Sequence, residues 1–200
     1  MTSPNRALLL IDLQNDFLDS QGAYARAGQT GAELGALPAR LTPVAQAMRA
    51  AGGMVVASRF TLWPDANGEP MVSAHLKSLR PFLAGDDFAP GSRGQAVIAT
   101  LQDSVNVCVD KVAYSAFFNT QLDWVLRHAG VQQLIVAGIV TQGGVASTVR
   151  DAHVREYPVT VLSDGCATFK QQTHDAAIED MKSIATITDC QSFLKQLQTD

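Results

Sequence analysis

Arg6-Ala-Leu-Leu-Leu-Ile-Asp12 is an apolar run closed by a carboxylate. A strand with one wet face alternates apolar and polar side chains, whereas a strand covered on both faces does not, so this run reads as a buried strand of a parallel sheet. The pattern recurs in Gly53-Met-Val-Val-Ala-Ser58, Val105-Asn-Val-Cys-Val-Asp-Lys111, Gln133-Leu-Ile-Val-Ala-Gly138, Pro158-Val-Thr-Val-Leu162 and over 184–187. Between these runs, apolar residues spaced by about 3.6 predict helices over 37–51, 119–129, 143–156 and 173–182. Strands alternating with helices require crossovers, and crossovers place helices on both faces of the sheet. The expected fold is a Rossmann-like three-layer α/β/α sandwich on six parallel strands, a single domain over residues 1–200.

Composition excludes several classes. At 46% hydrophobic, the 200 residues are enough for one full core. No apolar run approaches the roughly 20 residues of a membrane span, and no basic stretch leads into a long apolar segment at the N-terminus, so the expected compartment is the cytoplasm, without a membrane partner. Fifteen basic residues against 19 acidic ones give a net charge of −4, with no cluster suited to nucleic acid. Cys108, Cys166 and Cys190 are odd in number and widely separated, as reduced packing residues are. His75, His128, His153 and His174 share no ligand spacing, and no metal or other cofactor is expected.

In an open parallel sheet, ligands gather at the carboxyl ends of the strands. Strand 1 ends in Asp12, strand 3 in Lys111, and strand 4 runs into Gly138-Ile-Val-Thr-Gln-Gly-Gly-Val145, which opens a helix. A carboxylate, an amine and a set of backbone donors able to hold an anion, Thr141, Gly143 and Gly144, would converge there. No Gly-x-Gly-x-x-Gly follows strand 1, and the strand-4 turn lacks a phosphate-loop lysine, which argues against dinucleotide or ATP. Ser147 and Thr148 lie one turn past Gly144 without an evident base, and read as packing or helix hydroxyls. The segment 60–93, rich in Pro and Gly, is too long for a plain connection and reads as a site wall or subunit contact anchored by Trp63, Phe82, Leu83 and Phe88. Phe17, Trp63, Phe117 and Val140 are the expected pocket liners.

Ala7-Leu-Leu-Leu-Ile-Asp-Leu-Gln-Asn-Asp-Phe17, Asp110-Lys-Val-Ala-Tyr-Ser-Ala-Phe117 and Val136-Ala-Gly-Ile-Val-Thr-Gln-Gly-Gly-Val-Ala-Ser-Thr-Val-Arg-Asp-Ala152 resemble the three signature blocks of the isochorismatase-like (cysteine) hydrolase superfamily. The resemblance implies strand order 3-2-1-4-5-6, a homodimer or homotetramer, and a small-molecule substrate. It also implies an Asp–Lys–Cys triad that cleaves amides through a thioester, with Asp12 and Lys111 in the first two positions. The third is Gly144, which has no side chain. The Asp-x-His metal motif of nicotinamidase-like members is replaced by Arg59-Phe60-Thr61-Leu62. Isochorismatases proper, some with glycine in the nucleophile position, use the aspartate as a general acid, although their Gln-Pro-Gly stretch is not visible here.

Three readings follow. The first is a thiol-independent hydrolase of a small metabolite, with Asp12 and Lys111 in acid–base chemistry. The second is a catalytically silent relative that binds a small molecule or acts as a scaffold. The third is an amidase-type thiol hydrolase whose cysteine has been replaced by Gly144. An acid role for Asp12 requires burial to outweigh the pull of Lys111, a contest that eases if Lys111 pairs with a substrate carboxylate.

Overall fold

The structure, a computed structural model, describes residues 5–199. Six strands, β1 (Arg6–Ile11), β2 (Met54–Phe60), β3 (Val107–Lys111), β4 (Gln133–Ile139), β5 (Val159–Ala167) and β6 (Thr186–Thr188), form one sheet in the order β3-β2-β1-β4-β5-β6. Every pairing is parallel. The unbroken apolar run of β1 divides between two cores, as the strand period of two demands. Ala7, Leu9 and Ile11 pack with Leu122, Leu126, Val149 and Met181 from the helices Leu122–His128, Ala146–Val154 and Gln171–Met181. Leu8 and Leu10 pack on the other face with Leu37, Leu41, Val44, Met48 and Phe193 from the helices Ala32–Ala50 and Cys190–Thr199.

Several elements differ from expectation. The first long helix begins five residues earlier than predicted and carries both Pro38 and Pro43 within it. β5 runs on to Ala167, with an irregularity in its pairing to β4 between Val136 and Gly138. The helix expected over 143–156 starts instead as a π-helical turn, Thr141–Val145, before the regular helix Ala146–Val154. The terminal helix Cys190–Thr199 had no sequence prediction.

A third cluster sits above the carboxyl end of β2. Tyr24, Leu62 and Phe88 form its centre, with Phe17, Phe60, Phe82, Leu83 and Phe169 around them. The segment 60–93 is therefore anchored by Phe82, Leu83 and Phe88 as expected, whereas Trp63 lies outside the cluster and is exposed. Polar residues of the first signature block fasten the same segment. Gln14 bonds Phe60 N and O and Gln95 O, and the Asp16 carboxylate accepts from the backbone of Ala23 and Phe88.

Candidate active site

Asp12 leaves β1 with φ +57°, the left-handed region that non-glycine residues rarely occupy and that tends to mark functional positions. Its neighbour across the sheet explains part of the turn. Gly138 has φ +127°, and a Cβ there would lie 2.2 Å from the Ile11 carbonyl, so only glycine lets β4 pass this close to the end of β1.

The turn delivers the carboxylate to Lys111. Asp12 Oδ2 is 2.7 Å from Lys111 Nζ, and Asp12 Oδ1 accepts from Ser58 Oγ at 2.8 Å. Asp12 is 5% exposed and Lys111 2%. Burial pushes the Asp12 carboxyl above its ordinary range, and the Lys111 ammonium and Ser58 hydroxyl pull it back only in part. The neutral acid is thus favoured relative to an exposed aspartate. Lys111 also donates to the carbonyls of Ala113 at 2.8 Å and Tyr114 at 3.1 Å. Together with Asp12 these use all three ammonium protons, so Lys111 has no donor left for a substrate carboxylate. Its charge acts on the site while its hydrogen bonds stay within the protein.

Position 144 faces the same pair. A Cβ built on Gly144 would lie 3.2 Å from Asp12 Oδ2, which is where a nucleophile on this turn would need to be. It would also lie 2.8 Å from the Ile139 carbonyl and 3.0 Å from Ile11 Cγ2, so a side chain here requires the turn to open. The turn is shaped for glycine. The peptide between Ile139 and Val140 is cis.

The expected anion cradle is only partly open. The Gly143 N–H donates to the Val140 carbonyl at 2.9 Å, and an anion could use it only after that bond is broken. Thr141 is fully buried, with its hydroxyl 2.9 Å from His174 Nδ1. Thr148 is structural, accepting from Ala116 N and donating to Gly144 O. Of the expected pocket liners, Val140 and Phe17 are near the site. Val140 Cγ2 would be 3.0 Å from a Cβ on Gly143, and Phe17 sits among Tyr24, Phe60 and Phe88 with ring centroids 4.6–6.4 Å apart. Phe117 belongs elsewhere. It is buried in the core against Tyr157 and under the Arg155 guanidinium, because the chain after Tyr114 turns down onto the sheet face. Trp63 does not reach the site cluster either.

Sequence reading missed Ser58, Tyr24, Tyr114 and Arg80. Ser58 had a signal, as the polar end of an otherwise apolar strand paired in register with Ile11. The other three form a cover. Arg80 Nε donates to Tyr24 Oη at 2.8 Å and Arg80 Nη2 to Tyr114 Oη at 3.2 Å, while the Tyr114 ring would be 3.5 Å from a Cβ on Gly143. A cavity of about 590 Å³ lies beside β5, lined by Arg40, Asp164, Cys166 and His174 among others, and includes neither Asp12 nor Lys111. The described residues bring together no group of three His, Cys, Asp or Glu side chains suited to a metal ion.

The profile of the isochorismatase domain matches residues 6–192. Ureidoacrylate amidohydrolase RutB of Yersinia enterocolitica is 34% identical over 168 residues, 79% of this chain and 73% of that one. Its namesake in Acinetobacter baylyi is 30% identical over 204 residues, 96% of this chain and 83% of that one. Among solved structures, a cysteine hydrolase from Pseudomonas syringae pv. phaseolicola superposes with TM-score 0.83 at 25% identity, covering 100% of this chain and 99% of that one.

Proposed function

The chain belongs to the isochorismatase family and is an isochorismatase-like hydrolase, and from that premise we propose that it cleaves a small metabolite without a protein thiol, using Asp12 as acid–base and Lys111 as its electrostatic partner. The observation that carries the reading is the buried Asp12–Lys111 pair at 2.7 Å with the Gly144 position opening onto Asp12 Oδ2. A carboxyl whose hold on its proton is strengthened by burial can give that proton to the leaving atom. Water adds to the carbon, the bond to the leaving atom breaks, and the proton released from water restores Asp12. The nearby Lys111 charge stabilises the carboxylate formed in between. Charge developing on a carbonyl oxygen would be met by the backbone of the turn at Thr141, Gly143 and Gly144, once the Gly143 N–H leaves Val140. The crowding around position 144 favours glycine as the residue this turn is built for, which weighs against the replaced-cysteine reading.

The names of the relatives make a ureido acid the first substrate to try. The test is a turnover screen with ureidoacrylate, isochorismate, nicotinamide, aliphatic amides and cyclic ureides, run on the natural protein and on Asp12→Asn. Turnover of one of these that disappears in Asp12→Asn supports the reading. A screen with no turnover anywhere moves the silent relative ahead. We further propose that the protein works in the cytoplasm as a homodimer or homotetramer, the assembly alone being supported by the exposed Trp63, Met71, Leu79, Tyr114 and Phe118 on and near the cover.

A further inference from the structure

We propose that Arg80 is the residue that receives the negative charge of the substrate, and that the hydrolase selects carboxylate-bearing molecules through it. The inference rests on the hydrolytic reading above but is tested apart from it. Two observations converge. Lys111, the other cation at the site, has its three protons on Asp12, Ala113 and Tyr114, and cannot bind a substrate carboxylate without losing one of them. Arg80 is half-buried, and among the described residues no carboxylate lies within ion-pair distance of it. A half-buried guanidinium without a carboxylate partner carries a charge that an arriving anion can pair with.

The surroundings of Arg80 are built rather than incidental. Tyr24, itself buried, takes Nε, and its ring is stacked on Phe169 at 5.7 Å and lies 4.7 Å from Phe17. Tyr114 takes Nη2. The fork is thus held by two phenol oxygens, each of which accepts from Arg80 and keeps its own proton to donate. A carboxylate would meet an arginine with N–H groups still unengaged, flanked by two hydroxyl donors, the kind of planar recognition for which arginine is suited. Tyr114 also fixes the spacing. Its backbone carbonyl is bonded to Lys111 and its ring borders Gly143, so Arg80 stands one tyrosine side chain away from the reacting corner. The selected substrate therefore carries its carboxylate a few bonds from the scissile carbonyl, with the uncharged part between them against Phe17, Phe60 and Tyr24.

The test compares an acid with its neutral amide. Binding of 3-ureidopropionate and of 3-ureidopropanamide is measured by titration calorimetry on the natural protein, Arg80→Gln, Arg80→Lys and Tyr114→Phe, with thermal melts to verify folding. The natural protein should bind the acid about tenfold or more tightly than the amide, the range expected of a charge-assisted pair. Arg80→Gln should erase the preference while leaving amide binding within about twofold, and Tyr114→Phe and Arg80→Lys should weaken the acid severalfold. If Arg80→Gln fails to fold, Arg80→Lys decides, since it keeps the charge and loses the fork. Equal binding of acid and amide to the natural protein, binding of neither, or a preference that survives loss of Arg80 would overturn the proposal. Because binding is read without turnover, failure of the catalytic reading leaves this result legible.

Discussion

Lys111 Nζ lies 2.7 Å from Asp12 Oδ2 and gives its two remaining protons to the carbonyls of Ala113 and Tyr114, so the ion pair is locked to the loop that follows β3. Removing one partner leaves the other buried and uncompensated. Lys111→Met should lower stability near neutral pH by about 3–5 kcal/mol, and Asp12→Asn combined with it should recover part of the loss, because the pair is worth less than the damage of splitting it. Urea denaturation of the natural protein, Lys111→Met and the double variant reads this. A single variant as stable as the natural protein would show that the pair is not the buried charge described.

The raised Asp12 carboxyl has a second consequence. Its unfolded value is about 3.8, and its folded value lies above that because burial disfavours the ionised form. Between the two, the folded state holds a proton that the unfolded state has lost, so Asp12 contributes stability that is fully present below the unfolded value and is lost as pH rises through the folded one. The stability difference between the natural protein and Asp12→Asn should therefore shrink from the natural protein's side as pH rises through that window. Turnover should follow the same titration, falling as Asp12 ionises. A difference that grows with pH would mean that Lys111 outweighs burial.

Thr148 offers a smaller test. Its hydroxyl is the acceptor for Ala116 N, which is buried, and it donates to Gly144 O in the turn that precedes its helix. Thr148→Val keeps the shape and strands that N–H, so a loss of about 1–3 kcal/mol is expected from denaturant melts, with Thr148→Ser closer to the natural value. Equal stability of the Val and Ser variants would place the bond outside the folded state's ledger of needs.

Much of this was legible in the chain. The runs at β1 and β4 gave the sheet because a strand covered on both faces leaves no polar positions, and Asp12 and Lys111 announced themselves as charges ending such runs. What stayed hidden depends on distances the chain does not encode locally. Ser58 reaches Asp12 only through strand register, and Arg80 only because Phe82 and Phe88 fold the 60–93 segment back over the sheet. Phe117 was misplaced for the converse reason: six residues from Lys111 in sequence, it turns to the opposite side of the loop and enters the core. The extra helix start before Pro38 and Pro43 ran against the rule that proline ends helices, and burial of Leu34, Leu37 and Leu41 outweighed it.

Light scattering tests the assembly. The exposed Val112, Tyr114 and Phe118 after β3 and Met71 and Leu79 on the cover are more large apolar surface than a free monomer commonly carries near one edge. A dimer or tetramer is expected at micromolar concentration. A single-chain mass throughout the concentration range would return those side chains to solvent and remove this argument.

The last prediction concerns a thiol placed at position 144. Its Cβ would be 3.2 Å from Asp12 Oδ2, close to the Lys111 charge and in the turn Thr141–Val145 that leads into helix Ala146–Val154, and the ammonium and the helix N-terminus both favour the thiolate. The contact of 2.8 Å with the Ile139 carbonyl means that Gly144→Cys must open the turn, at a cost of about 1–3 kcal/mol typical of overpacking. The natural cysteines supply a slow background. Burial pushes Cys166 up to about 12 and raises Cys190 and Cys108 as well. The new thiol should therefore alkylate with iodoacetamide near neutral pH faster than any of the three, and Lys111→Ala should slow it. Peptide mapping of the labelled protein assigns the rates. If the cysteine at 144 reacts no faster than Cys108 in a folded variant, the field at Asp12 and Lys111 does not reach the turn, and the hydrolase reading loses its electrostatic basis.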